Sequence, residues 1–495
     1  MLQWRAVTLT LPTVRAPRTT ARATSRTTPR SCRVGDVRVR VATGVHELRD
    51  VGALTAEAYH ADRLLSPDDD YTVELRDAER RAGEAVLLVA LVPAAPGVEP
   101  ADGDEDTDAG TDTDGVVVGT VTLAPAGTSY AEVAEPGEAE IRMLAVAPEA
   151  RRRGVAEALM RAALDHAVTS GHRRVVLSTF DAMRSAQRLY RRLGFVPVPA
   201  RDWQHEGVHV RVHVWDAPQA PGAEVETSTW RPVEAADVGP WRLGLSGGFT
   251  RRANSVVARG EPADVDAAIA AVEERYATAG LPSVFRVCPA SRPADLASRL
   301  AARGYTTVSR TSVLVRPVAA PPREDDGAAA RTDDGTAAAR PGPAARRPGE
   351  PVVTFADAPD DDWLRGWLAV KAGGGVDLDL ARRVVGGAAA RYATASDEHG
   401  VVGVIRAAPA GEWVGLSCLM VAERGRRRGL GRRLTELALR DAADRGATRA
   451  FLQVEEHNVG ARALYLGAGF QAAEVYEYCE RPSTGAAPAT PTGGC

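Results

Sequence analysis

The segment Leu144-Ala-Val-Ala-Pro-Glu-Ala-Arg-Arg-Arg-Gly154-Val-Ala156 returns 275 positions later as Leu419-Met-Val-Ala-Glu-Arg-Gly-Arg-Arg-Arg-Gly429-Leu-Gly431. Each copy is followed by a Leu-Tyr-x-x-x-Gly-Phe element whose tyrosine, Tyr190 or Tyr465, lies 36 positions after the central glycine. Codon bias can enrich a chain in arginine and glycine, but it cannot keep two motifs in register. The pattern therefore indicates an internal duplication.

Each copy predicts a strand, a tight basic loop and a helix. Apolar runs at 141–146 and 416–421 precede the loops, and apolar side chains recur at helical spacing after them. The central glycine permits backbone conformations that side chains forbid. Backbone N–H groups at such a helix start converge on one point, a geometry that binds phosphate or pyrophosphate. A surface turn with solvated arginines is the alternative, and duplication in register disfavours it.

The bulk composition excludes several functions. With 61 basic and 65 acidic residues the formal net charge is −4, which attracts neither nucleic acid nor an anionic membrane. The five cysteines include no Cys-x-x-Cys pair, so we expect no metal site, no disulfide framework and a reducing, cytoplasmic location. No apolar run approaches the roughly 18 residues that a membrane span needs, so no membrane partner is expected. The oligomeric state stays open.

The chain is long enough for about three domains. Between the two copies lies a weaker echo: a helix ending near Tyr276, a strand reaching Val287 and a helix closing on Gly304-Tyr305, without the basic loop. Segments that cannot bury a core separate the folded parts. The predicted organisation is a disordered basic tail (1–35), an N-terminal domain (36–216) with an acidic loop insertion (93–115), a degenerate lobe (226–318), a flexible linker (319–351), a C-terminal domain (352–482) and a second tail (483–495). A transit peptide or an early start codon is the alternative for the first tail, and a calcium site for the insertion.

These residues resemble the GNAT superfamily of N-acetyltransferases. The family motif [Gln/Arg]-x-x-Gly-x-[Gly/Ala] is matched by Arg151, Gly154 and Ala156 and again in the second copy. The later Asn-x-x-Ala-x-x-Leu-Tyr-x-x-x-Gly-Phe element is complete in the second copy, whereas Met183 replaces the asparagine in the first. Residues 226–480 are similar in outline to two-lobed mycothiol synthases. The resemblance implies an α/β fold class (mixed α+β), with tandem GNAT folds whose mostly antiparallel sheet is flanked by helices.

The resemblance also implies acetyl-CoA as cosubstrate, without a metal. In both copies the loop and first helical turn would cradle the pyrophosphate, and the preceding strand would pair with the pantetheine arm. Asn458 would support the arm in the second copy. The implied cofactor-binding residues are Leu144, Ala145, Val146, Arg152, Arg153, Gly154, Val155, Ala156, Glu157, Leu419, Met420, Val421, Arg427, Arg428, Gly429, Leu430, Gly431, Arg432 and Asn458.

Acetyl transfer to an amine needs a base, an oxyanion donor and an acid for the leaving thiolate. Tyr190 and Tyr465 are the candidate acids, with a core aromatic as the alternative for each. Glu140, on the strand before the first loop, is the candidate base; alternation places Glu138 on the same face, and either could instead be a solvated edge residue. The second copy has Gly415 at the aligned position, and Glu412 and His457 are weaker candidates there.

We therefore predict an acetyl-CoA-dependent N-acetyltransferase that transfers acetyl to a primary amine by direct attack in a ternary complex. A small-molecule amine is the expected partner, and the acceptor cannot be identified because variable segments determine it. An acetyl-CoA-binding sensor or scaffold with one or both domains inactive is the rival from another class. A protein lysine acetyltransferase is the third possibility.

Overall fold

The computed structural model describes residues 37–62, 64–65, 69–93, 115–205, 208–318, 350–369 and 377–482. The expected tails, nearly all of the acidic insertion and nearly all of the linker lie outside these residues. The chain divides into two compact units, Met1–Ala217 and Pro218–Cys495.

The described part of the first unit contains one eight-stranded sheet and five α-helices. The strands are β1 (Arg38–Val41), β2 (Val86–Val92), β3 (Val116–Pro125), β4 (Glu138–Val146), β5 (Arg174–Phe180), β6 (Val196–Pro197), β7 (Trp203–His205) and β8 (Val208–Asp216). The helices are α1 (Val45–Ala61), α2 (Tyr71–Arg76), α3 (Ala78–Glu84), α4 (Val155–Thr169) and α5 (Arg184–Arg192).

This sheet runs in the order β1-β2-β3-β4-β5-β8-β6, with β7 beside β8. Its pairs are antiparallel except β4 with β5, which is parallel. Strands β2 and β3 pair as a hairpin around the predicted acidic insertion. Leu87, Val89 and Leu91 pack with residues of α1 and α3, and the alternate residues of β2 are buried as well. Because successive side chains point to opposite faces, the sheet is covered on both sides.

The second unit contains an eleven-stranded sheet and seven described α-helices. The strands are β9 (Glu234–Val238), β10 (Trp241–Leu245), β11 (Val256–Ala258), β12 (Ser283–Val287), β13 (Thr306–Pro317), β14 (Val352–Ala356), β15 (Arg391–Asp397), β16 (Gly400–Ala410), β17 (Trp413–Val421), β18 (Arg449–Glu455) and β19 (Gln471–Arg481). The helices are α6 (Ala223–Thr229), α7 (Val265–Thr278), α8 (Leu296–Ala302), α9 (Asp361–Leu368), α10 (Leu378–Gly386), α11 (Leu430–Asp444) and α12 (Val459–Gly467).

The sheet of the second unit joins the segments predicted as a degenerate lobe and a C-terminal domain. Its order is β14-β15-β16-β17-β18-β13-β19-β12-β11-β10-β9. Strand β13 comes from the first of these segments, yet it pairs with β18 on one side and β19 on the other. In the first unit the corresponding strands β5 and β8 pair directly. The two predicted segments therefore share one continuous sheet.

The weak repeat predicted between the two copies forms regular helices and strands. Helix α7 contains Tyr276, β12 ends at Val287 and α8 ends two residues before Gly304. Trp241, Phe285 and Leu300 are completely buried in the core that these elements enclose. Strands β11 and β12 are parallel, as β4 and β5 are in the first unit.

Candidate active sites

Each of the two units contains a wedge between a pair of parallel strands. Strands β4 and β5 pair as far as Ile141 and Leu177, and both then continue without further rungs. Strands β17 and β18 pair as far as Leu416 and Leu452, again 275 positions later, and also continue apart. Backbone N–H and C=O groups that face the wedge have no hydrogen-bond partner on the opposite strand, so an extended ligand can pair with them.

A bulge lies at the closed end of each wedge. Met143 and Cys418 have φ angles of 52° and 57°, in the left-handed region that few non-glycine residues adopt. In both units the register shifts so that two residues of the central strand oppose one residue of its neighbour. Each such backbone costs about 1–3 kcal/mol, so surrounding packing has to hold it in place. The strained backbone therefore lies at the equivalent position in both wedges.

The basic loop opens onto each wedge and ends in an uncapped helix. Gly154 and Gly429 are the N-cap residues of α4 and α11, with φ angles of 80° and 75°. Arg152 and Arg427 precede them with φ angles of 60° and 57°. No side-chain hydrogen bond caps either described helix start. The first N–H groups of α4 and α11 are therefore available to an anion, with the positive end of the helix dipole behind them.

The first arginine of each motif supports the loop from within. Arg151 Nε donates to the Val146 carbonyl at 3.3 Å, and Arg426 Nε donates to the Val421 carbonyl at 3.2 Å. Arg151 also forms an ion pair with Asp62 at 2.6 Å. These contacts tie the loop to the end of the strand.

The residues predicted to follow the loop differ between the copies. The Glu157 carboxylate pairs with Arg161 at 2.9 Å and Arg192 at 3.2 Å, and these arginines lower its pKa, so only its N–H can face an anion. A Cβ at Gly431 would lie 2.8 Å from Leu464 Cδ1, so that glycine also serves packing of α11 on α12. Ala156 shows that the first copy accommodates a Cβ at this position.

The predicted acids occupy matching positions. Tyr190 and Tyr465 are buried, and each ring centroid lies 5.9 Å from that of the phenylalanine five residues on. Burial raises the pKa of Tyr190, with a smaller contribution from Tyr59, so the phenol keeps its proton at neutral pH. A protonated phenol can donate to a developing thiolate.

Asn458 has a structural role that the sequence did not predict. It is the N-cap of α12, and its side chain accepts from the Ala461 N–H at 3.2 Å. Its side-chain nitrogen is the group that remains for a ligand. Met183 at the start of α5 makes no such cap.

Glu140 is completely buried and organises the loop before β4. Its Oε2 accepts from the N–H groups of Glu132 and Val133 at 2.7 Å and of Ala134 at 3.2 Å. Its Oε1 has no hydrogen-bond partner among the described residues and lies 3.8 Å from Arg142 Nη1. Burial raises its pKa, and Arg142 and the amides offset this only in part. Glu138 is buried too and pairs with Arg201 at 2.9 Å, so neither residue is solvated.

The second unit explains why glycine stands at the position aligned with Glu140. A Cβ at Gly415 would lie 2.8 Å from Phe451 Cζ and 3.0 Å from Thr229 Oγ1. Residues from β18 and α6 thus fill the space that the Glu140 side chain takes in the first unit. Glu412 lies at the opposite end of β17 and pairs with Arg449 at 3.7 Å, whereas the exposed His457 lies 3.1 Å from Glu455 Oε2.

Sequence reasoning missed several polar groups near the wedges. Arg142 lies mostly buried at the first bulge, 2.6 Å from Glu132 and 3.1 Å from the Tyr71 hydroxyl. Gln453 and Glu455 are buried on β18 directly beyond its last rung with β17. A charged or amide residue inside an apolar strand is the signal that could have identified them.

Comparison with known families agrees with this duplicated geometry. A family model described as "Probable histone acetyltransferase Rv0428c C-terminal" matches residues 224–479, just over half of the chain. The chain belongs to this acetyltransferase family. A second model, "Acetyltransferase (GNAT) family", matches residues 97–195. The predicted superfamily, the α/β fold class and the acyltransferase activity are thereby confirmed, and acetyl-CoA is the donor that GNAT enzymes use.

Several solved structures are similar to the chain. A GCN5-related N-acetyltransferase from Kribbella flavida is 18% identical, covers 54% of this chain and 97% of its own, and has a TM-score of 0.37. A tandem GNAT protein from the clavulanic acid biosynthesis pathway is 14% identical, covers 92% and 100%, and has a TM-score of 0.28. A GNAT acetyltransferase from Elizabethkingia anophelis with acetyl-CoA bound is 13% identical, covers 37% and 98%, and has a TM-score of 0.23. No curated protein matches significantly.

Among the described residues, no helix is both long and apolar enough to cross a membrane. The same part of the chain contains no cluster of three or more His, Cys, Asp or Glu side chains able to hold a metal ion.

Proposed function

We propose that this acetyltransferase transfers acetyl from acetyl-CoA to a primary amine, with a cofactor site in each unit. The observation that carries the proposal is the duplicated, uncapped helix start beside a wedge of unpaired backbone groups. The N–H groups at Gly154 and Gly429 would bind the pyrophosphate, and the strands ending at Val146 and Val421 would pair with the pantetheine arm. The exposed arginines of each loop add charge-assisted contacts.

The transfer is proposed as direct attack in a ternary complex. The amine nitrogen forms a bond to the thioester carbonyl carbon, the carbon–sulfur bond breaks, and the nitrogen loses a proton to Glu140 in the first unit and to solvent in the second. A backbone N–H at the bulge of Met143 or Cys418 would donate to the oxyanion, and Tyr190 or Tyr465 would give its proton to the leaving sulfur. Each tyrosine can regain a proton from solvent after the product leaves.

Glu140 is the proposed base of the first unit. Its raised pKa brings it nearer to neutrality, where a general base works best, and its Oε1 accepts no hydrogen bond from the described residues. Since the carboxylate is the active form, the rate of this unit should rise as pH rises through that pKa. In the second unit, packing around Gly415 leaves no room for a carboxylate at the position that corresponds to Glu140.

Replacing both tyrosines by phenylalanine should lower kcat about 100-fold, within the usual contribution of a general acid. Each substitution removes one hydroxyl and leaves the ring contact with Phe195 or Phe470 intact, so the fold and the KM for acetyl-CoA should change little. Steady-state release of the CoA thiol from the double variant Tyr190→Phe/Tyr465→Phe measures this. Wild-type kcat in the double variant would show that the two rings serve packing alone.

Two other functions remain to be separated from this one. A sensor or scaffold would bind acetyl-CoA tightly and release no thiol with any amine. A protein lysine acetyltransferase is favoured by the description of the matched family as a probable histone acetyltransferase. Thiol release measured with a panel of small amines and a histone-tail peptide, beside direct acetyl-CoA binding, distinguishes all three. The proposal expects turnover with small amines and fails if only the peptide reacts.

A further inference from the structure

Strand β18 carries a buried carboxylate on the same face of the sheet as Gly415. Gly415 of β17 and Phe451 of β18 are directly paired, and a Cβ on the glycine would meet the Phe451 ring, so both positions face the same way. Strand β18 pairs with β13 without a register shift as far as Glu455. Since alternate residues of a strand share a face, Glu455 lies on that face too. This is the face that holds the proposed base, Glu140, in the first unit.

Glu455 is fixed from one side and contacts a histidine on the other. It is 6% exposed, and its Oε1 accepts from Ser309 Oγ at 3.1 Å and lies 3.8 Å from Arg251 Nη1. Both of these residues belong to the lobe without a basic loop. Its Oε2 lies 3.1 Å from Nε2 of His457, whose side chain is 72% exposed. A carboxylate beside Nε2 favours the tautomer that carries its hydrogen there, which leaves Nδ1 to accept a proton.

The two copies differ at these positions in opposite ways. Phe180 and Ala182 stand in the first copy where the second has this glutamate and histidine, 275 positions later. The second copy in turn has Gly415 in place of Glu140. Each unit therefore has one buried carboxylate on this face of its wedge, on β4 in the first unit and on β18 in the second.

The histidine lies at the open side of the second wedge. His457 is in the turn between β18 and α12, one residue before the N-cap Asn458. Strand β18 has stopped pairing with β17 after Leu452, three residues before Glu455. The same turn leads into α12, which contains the proposed acid Tyr465. A base and an acid of the second unit would thus lie on two consecutive elements.

We propose that His457, oriented by Glu455, is the general base of the second unit. This inference rests on the proposed function. As the amine nitrogen bonds to the thioester carbonyl carbon, its proton passes to Nδ1 of His457, and the exposed imidazolium then releases that proton to solvent. The Glu455 carboxylate stabilises the imidazolium and holds the ring, as the carboxylate of a catalytic triad does, so Glu455 is a positioning residue.

The test measures thiol release by the Gly154→Val chain, in which the first cofactor site is disrupted, with the fastest acceptor of the panel of small amines and histone-tail peptide. His457→Ala should lower kcat about 100-fold, within the usual contribution of a general base, and leave KM for acetyl-CoA unchanged. Added imidazole should restore this rate about tenfold, because it can take the vacated place. Glu455→Gln should lower kcat about tenfold or more without any response to imidazole.

His399→Ala is the matched control. His399 is 71% exposed and lies 3.5 Å from the exposed Glu398, in the turn between β15 and β16. Its loss should change neither kcat nor the response to imidazole. An unchanged kcat in His457→Ala, a lower kcat that imidazole does not restore, or an equal imidazole response in the control overturns the inference and leaves the N-acetyltransferase proposal standing. Acetyl-CoA binding without release by any acceptor overturns both.

Discussion

Gly429→Val should abolish acetyl-CoA binding in the second unit while leaving the first unit loaded. The side chain would enter open space at the helix start, since no atom lies within 4 Å of a Cβ built there. That space is where the pyrophosphate would lie, and valine also disfavours the left-handed φ of 75° that aims the N–H groups. Losing two charge-assisted hydrogen bonds weakens binding about 100-fold or more. Calorimetry should therefore show the stoichiometry falling from two acetyl-CoA per chain to one.

Gly446→Val is the matched control at the other end of the same helix. Gly446 has a φ of 93° and, like Gly429, no atom within 4 Å of a Cβ. The two variants should lose comparable stability from backbone strain, but only Gly429→Val should lose a binding site. Full binding by Gly429→Val, or equal loss in both variants, would refute the assignment of this loop to the pyrophosphate.

Arg406→Met should destabilise the second unit by about 3 kcal/mol or more. Arg406 is 1% exposed, and its guanidinium donates to the carbonyls of Val385 and Thr229 at 2.9 Å and of Ala388 at 3.2 Å. Methionine has a similar length but no donor, so the Thr229 and Ala388 carbonyls would remain buried and unpaired. These carbonyls lie at the ends of α6 and α10, where a cation is favourable.

The loss of hydrogen bonds outweighs the relief of removing a buried charge, because the carbonyls cannot reach solvent. Urea unfolding followed by tryptophan fluorescence reports on this region, since the guanidinium carbon lies 5.2 Å from the Trp230 ring centroid. The exposed Arg383, also on α10, is the control, and Arg383→Met should change stability by less than about 0.5 kcal/mol. An unfolding midpoint for Arg406→Met equal to that of the control would show that Arg406 does not hold the two helix ends.

The sequence predicted the parts of the site that local geometry determines. Gly154 and Gly429 need left-handed backbone, and a strand before and a helix after each glycine follow from apolar spacing, so the loop could be located from residues alone. The left-handed Met143 and Cys418 gave no such signal, because their φ angles result from a register shift between neighbouring strands.

Long-range pairing and side-chain direction were not predictable in the same way. Nothing in the residues of β13 indicates that it inserts between β18 and β19, since strand order depends on contacts far apart in the sequence. Glu140 was expected as a base or at a solvated edge, and its burial against three backbone amides excludes the solvated edge. The pairing of Glu226 with Gln453 spans more than 200 residues and has no local signature.

The central claim is that both basic loops bind the pyrophosphate of the same acyl carrier. Isothermal titration of the full chain with CoA tests it most directly, because binding of CoA requires no acceptor amine and no turnover. The account predicts two molecules of CoA per chain, one of which is lost in Gly154→Val and the other in Gly429→Val. A chain that takes up no CoA, or binds it undiminished when both glycines are replaced, would contradict it.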